Sequence, residues 1–168
     1  FNAESKDLGG FTEVIQPTAL DGILEKSDIL CLLNHNEDRG ILARSRYGEG
    51  SLQLEIDEYG LKFTFEVPDT VDGQFIKEMI RRNDYNGCSF AFTDDMVDVE
   101  YDRERGLFIR NVRKIKQLYD CSIVADPAYS DTEVSLRSLE EVLEKEVATE
   151  NKDDSWKEEL DKYRQRLN

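Results

Sequence analysis

The chain has 168 residues, 39% of them hydrophobic and 35% charged, with a formal net charge of −15. That length allows one domain with a real core, and the high charge suggests a compact body plus a solvated segment. So negative a chain repels nucleic acid and anionic membranes, which excludes both as primary partners; a basic protein surface or peptide stays compatible.

Neither a membrane-spanning run nor a secretory signal pattern is expected from these residues. Phe1 is not an initiator Met, so the expectation is a start inside a longer gene product, with a preceding strand absent. Cys31, Cys88 and Cys121 each sit in an apolar run, where a free thiol behaves as a small hydrophobe. The reading is a reducing compartment with no disulfide framework.

In chain order, Gly9-Gly10 precedes a short strand, Phe11 to Ile15, which Pro17 ends. A short helix is expected near Thr18 to Glu25. Ile29 to His35 is apolar on both faces and polar at its end, which predicts a buried strand with His35 at a rim. Leu52, Leu54 and Ile56 alternate with polar residues, as do Leu61, Phe63, Phe65 and Val67, predicting a β-hairpin. The period then changes: Val71, Phe75, Met79 and Ile80 form one helical stripe between Asp69 and Arg82, with Asp69 as N-cap.

Three further strands are expected at Cys88 to Phe92, Val97 to Tyr101 and Leu107 to Val112, and a fourth at Leu118 to Val124. The turn 102–106 joins the second and third. Many short strands with one central helix favour a β-rich, α+β fold built on a closed or nearly closed barrel. Ser138-Leu139-Glu140-Glu141 is a capping box opening a helix. Ser155 to Asn168 is a second helix, with Trp156, Leu160, Tyr163 and Leu167 in a narrow seam. The division is thus a barrel domain, residues 1–138, and an acidic helical tail, residues 139–168.

The chemistry rests on few residues. A serine hydroxyl needs a neutral imidazole to take its proton and a third group to fix the imidazole tautomer. His35 is the one histidine in the chain. Ser89 lies between Cys88 and Phe90; if Cys88, Phe90 and Phe92 fill the core, Ser89 faces outward beside the small Ala91. Cys88 is a rival nucleophile, expected to be buried and inert. Asp120 and Ser122 share a face opposite Cys121 and Ile123, as for an acid held near something specific. From spacing alone the bland alternatives stay open: a structural histidine, an ordinary strand serine and an exposed strand face. One His and three scattered Cys match no zinc spacing, and the acidic run Asp94, Asp95, Asp98, Glu100, Asp102 lacks calcium-loop spacing. No cofactor is expected.

Several segments in order carry a resemblance: Leu8-Gly9-Gly10-Phe11 through Pro17-Thr18-Ala19-Leu20, then Leu33-Asn34-His35-Asn36, Tyr59-Gly60-Leu61 and Gly87-Cys88-Ser89-Phe90-Ala91-Phe92. Leu118-Tyr119-Asp120-Cys121-Ser122-Ile123-Val124, Asp126-Pro127-Ala128-Tyr129 and Arg137-Ser138 complete it. Together they resemble the HK97-type prohead proteases of tailed bacteriophages, a family related in fold to the herpesvirus assembly proteases.

The resemblance covers most of residues 1–138 and implies a herpesvirus-protease-like β-barrel with flanking helices and a serine endopeptidase activity; the C-terminal helical tail is read from its own periodicity. Carried over residue by residue, it puts the histidine on His35, the serine on Ser89 and the acid on Asp120, where other members place Glu. The oxyanion donor falls in the loop 126–129; Pro127 has no N–H, so Ala128 is the residue implied. Ala91 departs from the family's Gly at its position.

The implied partners are phage capsid and scaffold proteins; the seam of the tail, residues 139–168, adds an expected docking to scaffold or self-association with another copy. The implied setting is the bacterial host cytoplasm, inside the assembling procapsid. The competing reading is a catalytically silent, protease-like assembly module that binds capsid protein.

Overall fold

A computed structural model describes residues 1–129 and 132. The expected tail, residues 139–168, lies outside the described residues. The elements in order are β1 (Phe11–Ile15), β2 (Asp28–Leu33), β3 (Ala43–Arg46), β4 (Glu49–Gly50), β5 (Leu52–Ile56), β6 (Leu61–Phe65), α1 (Val71–Arg81), β7 (Gly87–Asp102) and β8 (Leu107–Val124). Single 3₁₀ turns lie at Leu24–Lys26 and Glu37–Arg39; the first overlaps only the end of the helix expected over Thr18 to Glu25, whose earlier residues form turns.

The four strands expected between residues 88 and 124 are two long ones, folded on each other as an antiparallel hairpin. β8 is the spine of the main sheet. Along one edge it pairs with β7; along the other its first half takes β1 and its second half takes β2, both parallel. β3 and β4 extend the sheet beyond β2. The described residues therefore form a mixed open sheet plus the separate β5–β6 hairpin, and the expected closed barrel is not among them. Short apolar runs suggested many strands that could wrap; continuous pairing along β8 makes them two.

β-Bulges explain the misreading. The register skips Arg113, Lys116 and Tyr119 on β8, and Asp95 on β7. Each extra residue reverses which face the following residues occupy. The core residues of β8 are accordingly three apart: Val112, Ile115, Leu118 and Cys121, all at most 1% exposed. Strict alternation breaks at each bulge, so the sequence looks like separate strands.

The β5–β6 hairpin forms as expected. It sets Leu52, Leu54 and Ile56 opposite Phe65, Phe63 and Leu61 on one face. Helix α1 begins one residue later than predicted: the N-cap is Thr70, whose hydroxyl accepts the Gly73 N–H at 3.1 Å. Its buried line is also displaced. Ile76 is fully buried and Gly73 nearly so, while Phe75, Met79 and Ile80 pack partly on the core. Val71, placed on the stripe by its hydrophobicity, is 87% exposed, while Gly73 in the same turn is buried.

These two positions should respond oppositely to truncation. Ile76→Ala is expected to cost about 2–5 kcal/mol in urea unfolding, and Val71→Ala no more than about 0.5 kcal/mol. Equal effects at both would contradict this placement of the helix.

Candidate active site

The second half of β8 lies between β2 and β7 in unbroken register. Leu30 and Leu32 pair with Asp120 and Ser122 on one side; Ala91 and Ser89 pair with the same two residues on the other. Residues directly opposite each other share a face. Ser89, Asp120 and Ser122 therefore share a single face with the apolar Ala91, Leu30 and Leu32. The Tyr119 bulge sets this arrangement: without it, Asp120 would share the face of the core residue Leu118.

His35 reaches this face through a turn rather than along the strand. β2 ends at Leu33, two residues short of the expected strand end. Asn34 and His35 both take positive φ, 51° and 56°, and the Asn36 N–H returns to the Leu33 carbonyl at 3.0 Å. Positive φ at both central positions is the type I′ geometry, and Asn and His tolerate it better than most residues. The chain reverses, and the imidazole comes back over β8.

There His35 Nδ1 lies 2.6 Å from Asp120 Oδ1, the short distance of a charge-assisted bond. An ionised carboxylate only accepts, so Nδ1 carries the proton and donates it. Nε2 is left with its lone pair free for a proton. The Asp120 side chain is 9% exposed and the His35 ring 35% exposed, so the pair has a covered acid and an accessible base.

Two serines share the face of Asp120, and one of them, Ser122, bonds the pair. Ser122 donates to Asp120 Oδ1 at 2.7 Å and accepts the His35 main-chain N–H at 3.2 Å, but it is fully buried. Ser89, opposite it on β7, is half-buried and so has access to the surface. Sequence reasoning placed Ser122 on the face of Asp120 without giving it a contact. The signal present was the polar pair at i and i+2 within an apolar strand.

Other groups missed in the sequence hold the histidine turn. Asn34 donates through Nδ2 to the Tyr85 hydroxyl at 2.9 Å and accepts the Ala125 N–H at 3.2 Å. Arg39 bonds Asp72 at 2.6 Å and lies over the Phe75 ring at 4.7 Å. The segment after α1 thus ties the turn at Asn34, and α1 ties the following 3₁₀ turn at Arg39.

Ala128, the implied oxyanion donor, lies in the segment after β8. Its carbonyl accepts the Lys6 N–H at 2.8 Å. The segment is tied down around it. Pro127 covers Gly87, Tyr129 stacks on Phe90 and donates to Glu13 at 3.2 Å, and Thr132 accepts the Cys88 N–H at 3.0 Å. Burial, with the Glu13 charge adding to it, pushes the Tyr129 hydroxyl up, so it remains a donor. Burial also pushes Glu13 up, against the pull of Arg110.

The thiols sort by burial. Cys31 and Cys121 are register partners in the core, and desolvation raises both well above the ordinary range. Cys88 is half-buried, less covered than the sequence suggested, because it lies near the start of β7, which borders the sheet. The acidic run on β7 is met by cations across the strand pair, including Arg110 on Asp94, Arg113 on Asp98 and Lys114 on Asp95.

An accessible imidazole, a buried carboxylate on its far nitrogen and a serine on the adjoining strand are the groups that Ser-His-Asp hydrolases use. Residues 1–145 match the Caudovirus prohead serine protease family, and the chain belongs to that family of serine peptidases. Neither the curated proteins nor the solved structures contain a match.

The tight contact next to Ser89 can be probed directly. A Cβ on Gly87 would stand 2.5–2.9 Å from three atoms of the Pro127 ring, which has no flexible end to move aside. Gly87→Ala is expected to destabilise the fold by about 1–3 kcal/mol in urea unfolding. Unchanged stability would show that the 125–129 segment is not seated on β7.

Proposed function

We propose that this chain is a serine endopeptidase in which Ser89 is the nucleophile, His35 the general base and Asp120 the group that orients the imidazole. The observation that carries the proposal is the 2.6 Å contact of His35 Nδ1 with Asp120 Oδ1, on the sheet face that also bears Ser89. Family membership carries a role in procapsid maturation.

In this mechanism His35 Nε2 takes the Ser89 hydroxyl proton as Oγ attacks a peptide carbonyl carbon. The imidazolium is stabilised by Asp120, and its proton passes to the leaving amine as the C–N bond breaks. Water then hydrolyses the acyl-enzyme, with His35 again as base. The developing oxyanion needs a donor, and loss of one costs about 2.7–4 kcal/mol. We assign that role to the Ala128 N–H, supported by the seating of Pro127 against Gly87, two residues before Ser89.

The substrates are scaffold protein, the N-terminal extension of the capsid protein, and the protease itself, inside the procapsid in the host cytoplasm. Among the described residues, no helix is long and apolar enough to cross a membrane. Residues 139–168, with the Trp156, Leu160, Tyr163 and Leu167 seam, serve as the docking segment for scaffold or for a second copy.

Intact-mass spectrometry of the protein incubated with the neighbouring capsid or scaffold protein tests the assignment. Wild type should yield discrete fragments and Ser89→Ala none, while Asp120→Asn should slow cleavage by roughly 10³–10⁴-fold. Cleavage by Ser89→Ala would remove Ser89 from its role. A wild type that binds capsid protein without cutting it would favour the assembly-module reading.

A further inference from the structure

The hydroxyl of Ser122 sits at the centre of the histidine–acid contact, yet no step of the mechanism above uses it. A serine hydroxyl has one proton to donate and two lone pairs to accept with. Here the proton goes to Asp120 Oδ1 at 2.7 Å, and a lone pair takes the His35 main-chain N–H at 3.2 Å. Asp120 Oδ1 in turn holds His35 Nδ1. One oxygen therefore touches both the carboxylate and the backbone of the residue whose ring that carboxylate must meet.

We propose that Ser122 is the positioning residue of the active site, locking the Asp120 rotamer and the left-handed His35 turn together through one hydroxyl. This inference rests on the Ser89–His35–Asp120 reading.

Three observations support it. Ser122 is fully buried, so its hydroxyl meets no solvent and no substrate. Its side chain is too short to search for other partners, and its proton faces a carboxylate that cannot give one back. The His35 peptide has positive φ and would lose a partner for its N–H if the hydroxyl were absent. With Ser122 gone, Asp120 is freer to turn about its side-chain bonds, and the turn that delivers the imidazole loses one of its ties. The cost then falls on activation of the nucleophile, with substrate contact unchanged.

The test is the kinetics of labelling by a fluorophosphonate probe, which reports how well the serine is activated, with circular-dichroism melting of each variant alongside. Ser122→Ala should lower the maximal labelling rate by about 10- to 100-fold, the range typical of groups that orient an active side chain. The probe concentration giving half-maximal rate should stay within about twofold. Ser122→Thr, which keeps the hydroxyl, should label within about threefold of wild type.

In an Asp120→Ala background the Ser122→Ala change should add no further loss, because the two act as one unit. Should Ser122→Ala fail to fold, Ser122→Cys retains the size with a weaker donor and should show an intermediate loss. Wild-type labelling by Ser122→Ala, or a full additive loss in the Asp120→Ala background, overturns the positioning role. Ser89→Ala separates the two levels. If it is unlabelled while Ser122→Ala labels normally, only the positioning role fails; if it labels like wild type, the underlying triad fails and the role with it.

Discussion

The hydrogen bond between His35 Nδ1 and Asp120 Oδ1 organises the part of the molecule that carries the candidate site. It joins residues 85 positions apart, so it exists only because β2 and β8 run parallel and in fixed register. Parallel neighbours need a long crossover; here residues 34–106 supply it, including the β5–β6 hairpin, α1 and β7. The crossover is itself part of the site. It carries Ser89 on β7, and it returns Tyr85, after α1, to brace the histidine turn.

The local backbone opposes that contact and is compensated. Two consecutive non-glycine residues with positive φ cost about 1–2 kcal/mol each. Asn34 and His35 recover this through bonds to the Ile123 carbonyl, the Ala125 N–H, the Tyr85 hydroxyl and Ser122, at about 1 kcal/mol apiece. The strained turn is thus bound to the C-terminal half of β8, the same stretch that presents Asp120. On that stretch the Tyr119 bulge turns the acid from the core face to the imidazole face. Strain and bulge, each unfavourable in isolation, make the geometry between them.

Much of this was legible in the sequence, and the failures have physical causes. The β5–β6 hairpin was read correctly because its alternation is clean and its turn is polar. His35, Ser89 and Asp120 stood out as candidates because the chain holds one histidine and the flanking motifs resemble a known family, and of these the structure brings His35 onto Asp120. The long hairpin was not, since Arg113, Lys116 and Tyr119 break the two-residue period while the strand continues. The helix stripe was misplaced because Val71 is apolar yet exposed, while the buried line runs through Gly73, which has no side chain to mark it, and Ile76. Ser122 carried a signal in its spacing from Asp120, but its contact with the His35 N–H depends on a left-handed turn that hydrophobic patterning does not encode.

Two serines lie side by side across β7 and β8, and exposure separates them: Ser122 is sealed and Ser89 is half-buried. The most direct measurement is peptide mapping of the fluorophosphonate adduct on the wild-type protein, alongside His35→Ala. The account predicts an adduct on the peptide bearing Ser89 that disappears when His35 is replaced. An adduct on Ser122, or on Ser89 at undiminished rate without His35, would contradict it.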